Sequence, residues 1–146
     1  MTNRIDDFIK EQSCASICCL DELGQPYCFS CFYAYDSTAQ LLCYKTSADS
    51  RHYKMMQLRH AVAGTILPDK LNKLHIRGLQ FEGMVLSMED PLAKNAAAWY
   101  YKKNPVALAM PGEVWTIQVN SIKLTDSHLG FGKKITWSRN EMAVHN

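Results

Sequence analysis

The sequence predicts a mainly β protein, a closed or nearly closed antiparallel barrel with short helices on its outside. Three observations carry this reading. Segments of strand length, rich in aromatic and β-branched residues, recur along the chain, as in Tyr27–Tyr35, Gln40–Thr46 and Val114–Val119. Tight turn signals separate the early ones, at Leu23-Gly24-Gln25-Pro26, Asp36-Ser37-Thr38-Ala39 and Pro68-Asp69-Lys70. Helical signals are confined to a few short stretches. A two-sheet sandwich accommodates the same roughly seven strands.

Taken in order, Asn3–Gln12 reads as an amphipathic helix with Ile5, Phe8 and Ile9 on one stripe and Asn3 as its cap. Strands follow at Ser16–Asp21, Tyr27–Tyr35 and Gln40–Thr46. Ser50 caps a second helix, Arg51–Arg59, which buries Met55 and Leu58. Ala61–Leu67 is a strand, and Lys73–Met88 an extended one that bends at Gly78 or Gly83. Asp90-Pro91 pairs a capping side chain with proline at the first helical position. That third helix turns Leu92, Ala96, Trp99 and Tyr100 inward and stops near Asn104-Pro105. Val114–Val119, Ser121–Thr125 and Lys134–Trp137 complete the strands.

One domain spanning residues 1–146 suits this length, with a core over about 14–137, the helix 3–12 before it and a tail 138–146 after it. Apolar residues make up 47% and charged residues 21%, too apolar for a disordered chain. A net charge of +2 leaves no basic footprint for nucleic acid. No apolar run reaches the ~20 residues of a membrane helix. Asp6, Asp7 and Glu11 interrupt the N-terminus where a signal peptide is apolar, so a cytoplasmic location is expected. The six cysteines are then expected as free thiols. Cys28 and Cys31, three apart on one strand, point to opposite faces and do not share a metal ion. No metal site is expected.

Three segments carry chemistry. In Tyr44–Lys54 a strand end brings Lys45, Arg51, His52 and Lys54 together with the hydroxyls of Thr46, Ser47 and Ser50, then opens a helix. Unpartnered N–H groups at a helix start, flanked by cations, suit a phosphate ester; a solvated helix cap fits the same residues. On the long strand Gln80 shares a face with Ile76, Gly78 and Glu82, where its amide either meets a flat polar ring or faces water. Gly130-Phe131-Gly132 permits a sharp backbone path. No nucleophile–base pattern, phosphate loop or zinc-protease motif is present.

Taken together, these segments resemble the pyridoxamine 5′-phosphate oxidase-like flavin split-barrel family from about Ile17 to Trp137. The carriers are Cys19-Leu-Asp-Glu-Leu-Gly-Gln-Pro-Tyr27, Thr46-Ser-Ala-Asp-Ser-Arg-His52 with Gln57-Leu-Arg59, and Arg77-Gly-Leu-Gln-Phe-Glu-Gly83. Leu129-Gly-Phe-Gly-Lys-Lys-Ile-Thr-Trp137 more narrowly resembles a small bacterial branch. The resemblance implies a six-stranded antiparallel split β-barrel, homodimeric, with flavin mononucleotide (FMN) in grooves between subunits. It implies Lys45, Thr46 and Ser47 beside the isoalloxazine, Ser50, Arg51 and His52 at the phosphate, and Gln80 at the ring. An FMN-dependent oxidoreductase acting on a small molecule is the expectation; a flavin- or haem-binding module without turnover, with His52, His60, His75 or His128 as axial ligand, is the alternative. Many relatives have lysine where this chain has His52, which is only partly charged at neutral pH. The oxidase's longer chain and extra basic residues are absent, so pyridoxamine phosphate oxidation is not implied.

Overall fold

A computed structural model describes residues 3–130 and 132–140. The segment Gly130-Phe131-Gly132 is centred on a residue outside the described ones, as are residues 141–146 of the tail. The elements in order are α1 (Asn3–Glu11), β1 (Cys14–Leu20), β2 (Pro26–Phe32), β3 (Ala34–Asp36), β4 (Leu41–Thr46), α2 (Arg51–Leu58), β5 (Ala61–Ile66), β6 (Arg77–Val85), α3 (Pro91–Lys103), β7 (Glu113–Asp126) and β8 (Lys134–Ser138). A short 3-10 helix, Pro105–Ala109, follows α3.

All the strands join one antiparallel sheet in the order β2-β1-β5-β6-β7-β4-β3, with β8 paired to β7. The order explains the curl. β2 and β3 lie at opposite ends of it, yet Tyr33 alone separates them in sequence. A one-residue link forces the two edges together, so the sheet rolls into a half-barrel. Tyr33 anchors the junction: its N–H donates to the Ser13 carbonyl at 3.2 Å and its hydroxyl to the Ile9 carbonyl at 2.6 Å.

The described residues form eight strands where the resemblance implied six. The extra ones are the three-residue β3, split off at Tyr33, and β8, which runs only beside the second half of β7. Val114–Val119 and Ser121–Thr125, expected as two strands, are one. Asn120 is skipped in the pairing of β7 with β6, a bulge that bends the strand without ending it. Conversely β6 starts at Arg77, later than the expected Lys73. Asn72 turns the chain there, its side chain accepting from the Leu74 N–H at 2.9 Å and its carbonyl from the His75 N–H at 3.2 Å.

Two apolar clusters hold the fold. The larger fills the curl with Ile17, Tyr44, Met56, Phe81, Ile117 and Leu124, and α1 closes it with Ile5, Phe8 and Ile9. Each such side chain contributes about 1.5–3 kcal/mol by leaving water. The smaller, with Leu41, Cys43, Val114, Ala96 and Tyr100, lies between the other face of β4 and α3. β4 is therefore buried on both sides, which accounts for its unbroken apolar start. α3 is capped as the sequence predicts: Asp90 accepts from the Leu92 N–H at 2.8 Å ahead of Pro91. Its inward residues are Ala93, Ala96 and Tyr100, while Leu92 is exposed. α2 buries Met55 and Met56, and Leu58 points to water.

At Gly64 the sheet tolerates no side chain. A Cβ there would collide with the Phe81 ring across the β5–β6 pair and sit 2.7 Å from the Ser16 carbonyl oxygen. Among the described residues no helix is long and apolar enough to cross a membrane.

Candidate functional site

The end of β4 and the start of α2 form a small polar clasp. Alternation along β4 turns Tyr44 and Thr46 into the curl and Lys45 to the other side. Thr46 Oγ1 lies 2.6 Å from His52 Nε2 and 3.1 Å from Ser50 Oγ, and Ser50 Oγ is itself 3.1 Å from His52 Nε2. The imidazole stacks on Phe29 of β2, with ring centroids 3.7 Å apart and planes 9° from parallel. Burial holds the His52 pKa below its ordinary value. This histidine is therefore a neutral hydrogen-bonding plate at physiological pH and adds no cation to the site.

Ser50 occupies the N-cap of α2 but does not cap it. Its hydroxyl donates backward to the Ser47 carbonyl at 2.8 Å, so among the described residues no side chain accepts from the first N–H groups of the helix. Those groups normally require a partner, and the helix dipole adds a partial positive charge there. Arg51 is exposed at the same turn, with its guanidinium 4.7 Å from the centre of the Tyr27 ring, and Lys54 is exposed one helical turn on. Gly112, at φ +120°, lets the segment before β7 come so close to the Thr46 carbonyl that a Cβ would lie 2.5 Å from it. The clasp is thus pinned by β2, β4 and the approach to β7.

Lys45 does not join this group. On the outer side of β4 its ammonium donates to the carbonyls of Ala107 and Met110, the latter at 2.7 Å, and lies 4.9 Å from the centre of the Tyr101 ring. Ser47 is exposed beside the clasp, its hydroxyl accepting from the Asp49 N–H at 3.3 Å.

Gln80 lies elsewhere again. It is exposed on the outer face of β6, with Glu82 and Met84 at the same alternation, as the sequence predicts. It lines an open groove of about 660 Å³ together with Cys18, Cys28, Thr65, Lys123 and Trp137. The register measures its separation from the clasp. Thr46 pairs with Glu113 and Gln80 with Lys123, both on β7, and 123 − 113 gives ten residues. At ~3.3 Å per residue that is roughly 33 Å of path along a bulged, curling strand. Within one chain the residues foreseen from the sequence fall into three places: the clasp, the Lys45 brace and the Gln80 groove.

Phe29 and Tyr27 were not foreseen as site residues. Only their aromatic strand hinted at them, since the contacts to His52 and Arg51 cross between β2 and α2. Cys28 is exposed and Cys31 turned inward, on opposite faces as expected, and burial pushes the Cys31 thiol up to about 12. Among the described residues no three metal-ligating side chains converge.

No protein-family model matches the sequence. The chain is 39% identical to a UPF0306 protein of Photorhabdus laumondii over 113 residues, 77% of this chain and 79% of that one. It is 35% identical to the UPF0306 protein YhbP of Escherichia coli over 122 residues, 84% of this chain and 83% of that one. Among solved structures it resembles a haem-binding protein of Mycobacterium smegmatis (TM-score 0.70, 16% identity, 92% of this chain and 56% of that one). It also resembles HutZ, a haem storage protein of Vibrio cholerae (0.61, 12%, 80% and 88%), and an FAD-binding protein of Mesorhizobium loti (0.62, 16%, 84% and 92%). At these identities the likeness shows the fold, a mainly β half-barrel shared with flavin- and haem-binding proteins. By sequence, the chain belongs to the UPF0306 family.

Proposed function

We propose that this protein binds flavin mononucleotide as a member of the pyridoxamine 5′-phosphate oxidase-like group, holding the phosphate at the N-terminus of α2. The observation that carries the reading is the N-cap serine whose hydroxyl turns away from its own helix. A serine there usually contributes about 1 kcal/mol by capping. Here the first-turn amides are left to a ligand, beside the exposed Arg51 guanidinium, and a phosphate ester matches both. Thr46, Ser47 and Ser50 supply hydroxyls around it, and His52 fixes the Thr46 and Ser50 hydroxyls from behind.

The separation of Gln80 from this cradle supports a homodimer. A second copy laid across the outer groove brings its own α2 N-terminus towards Gln80 of the first, so one flavin is shared between two chains. Bound flavin supplies the redox chemistry, and the protein supplies orientation and charge near the ring. On this reading the protein is an oxidoreductase acting on a small molecule, working in the cytoplasm.

A second reading, haem binding without turnover, draws on the haem-binding fold neighbours and on the exposed His75 and His128, stacked with centroids 4.5 Å apart. An absorption spectrum of the purified protein separates the two. A flavin band restored by added FMN supports the first reading, and a Soret band lost in a His75→Ala/His128→Ala variant supports the second. Neither band, after titration with both ligands, overturns both.

A further inference from the structure

Among the described cysteines one pair stands in register. Cys18 of β1 and Cys28 of β2 are direct cross-strand partners. The pleat sends both side chains to the outer face, at the edge of the groove that also holds Gln80. Directly opposed residues on antiparallel strands have Cα atoms about 4.5–5.5 Å apart, within the roughly 4.4–6.8 Å that a disulfide spans. Electrostatics agree with this pairing: burial first, then the neighbouring Cys28, raises the Cys18 pKa above its ordinary value.

The hairpin that aligns them needs no crosslink to form. Asp21 accepts from the N–H groups of Leu23 at 2.9 Å and Gln25 at 2.7 Å, and Gly24 takes φ +81°. The two sulfurs are therefore held together in the reduced state, and closure costs little chain entropy.

The remaining cysteines lack this arrangement. Cys19 turns inward, its thiol donating to the Tyr27 carbonyl at 3.6 Å. Cys43 is buried beneath α3, 3.8 Å from Thr116 Oγ1. Cys14 pairs with Phe32, and Cys31 pairs with Ala15.

We propose that Cys18 and Cys28 form a reversible redox dithiol that exchanges with low-molecular-weight disulfides such as glutathione disulfide. Cys28, the exposed member, attacks first as thiolate; it bonds to one glutathione sulfur and the other glutathione leaves as thiolate. The Cys18 thiolate then attacks the Cys28 sulfur, closing the cross-strand disulfide and expelling the second glutathione. Two electrons pass from the dithiol to glutathione disulfide, and the two thiol protons end on the two glutathione thiolates. An exposed bridge of this kind belongs to the labile class of disulfides, and added glutathione reverses it. Oxidation replaces two thiols at the groove's edge with an apolar crosslink. The proposal needs no flavin and stands apart from the phosphate reading.

The test is equilibration of the reduced full-length protein with glutathione and glutathione disulfide at graded ratios, followed by acid quench and peptide mass spectrometry. The expected product loses two hydrogens and yields a single linked peptide pair, Cys18–Cys28, which excess glutathione reopens. Cys18→Ser accumulates one glutathione on Cys28 and forms no internal bridge. Cys28→Ser loses the fast adduct, and Cys14→Ser/Cys31→Ser oxidises as the wild type does. A bridge joining any other cysteines, glutathionylation of Cys18→Ser elsewhere than at Cys28, or no bridge at any ratio overturns the proposal.

Discussion

Replacing His52 with alanine removes the plate on which the β4–α2 clasp is built. The ring loses its stack on Phe29, an aromatic contact of about 1 kcal/mol, and two hydrogen bonds to hydroxyls, each about 1 kcal/mol. The Thr46 hydroxyl, on a residue only 7% exposed, keeps Ser50 alone as partner. His52 is only half-buried, so a net loss of about 2 kcal/mol is expected, a fall in melting temperature of roughly 4–8 °C for a chain of this size. The pH dependence gives a second readout. Burial lowers the folded pKa of His52 below its unfolded value near 6.5. Above that value both states are neutral and the clasp contributes in full. As pH falls through it towards the folded pKa, the unfolded chain takes up a proton that the folded chain refuses, and the stability is lost. Wild type and His52→Ala therefore differ most at neutral pH and converge on acidification, in thermal melts followed by circular dichroism. An unchanged melting temperature at neutral pH, or parallel curves across the acid range, would refute the clasp and place the ring in water.

Gly64→Val drives a side chain into Phe81 and the Ser16 carbonyl and costs about 1–3 kcal/mol in denaturant unfolding; Gly64→Val/Phe81→Ala recovers part of it. Asp126→Ala removes the acceptor that lies 3.2 Å from the Arg77 Nε and 3.0 Å from the His128 N–H, and leaves Arg77 with its longer 3.9 Å ion pair to Glu11. Asp126 is 6% exposed, so a loss of roughly 2–4 kcal/mol is expected in the same assay. Lys45→Met frees the Ala107 and Met110 carbonyls, so amide exchange accelerates over 105–110 while FMN affinity stays as in the wild type.

The sequence was legible where a rule is local. Alternation on β6 put Gln80 and Glu82 on one face without saying whether that face meets water, and Asp90-Pro91 marked the start of α3, because each signal is read within a few residues. Lengths failed where a single residue decides them: Tyr33 splits an aromatic run into β2 and β3, Asn72 delays β6, and the Asn120 bulge joins two apparent strands. In α2 the helical period favoured Leu58, but the curl takes Met56. The site divides the same way. Hydroxyls and cations at a helix start were visible in Tyr44–Lys54, whereas the stacking of His52 on Phe29 pairs residues far apart in sequence. The turning of Lys45 towards Ala107 and Met110 depends on where the 3-10 helix after α3 packs, and the separation of Gln80 from Thr46 on strand order.

A phosphate cradle at the N-terminus of α2 distinguishes FMN from riboflavin, which lacks only the phosphate. Their affinities are measured by flavin fluorescence quenching on wild-type protein and on Ser50→Ala/Arg51→Ala. A charge-assisted contact is worth about 1.5–3 kcal/mol, so wild type should favour FMN by roughly tenfold or more, and the double variant should lose that preference while binding riboflavin as before. Equal affinity for FMN and riboflavin on wild type, or a preference for FMN that survives in Ser50→Ala/Arg51→Ala, would contradict the account.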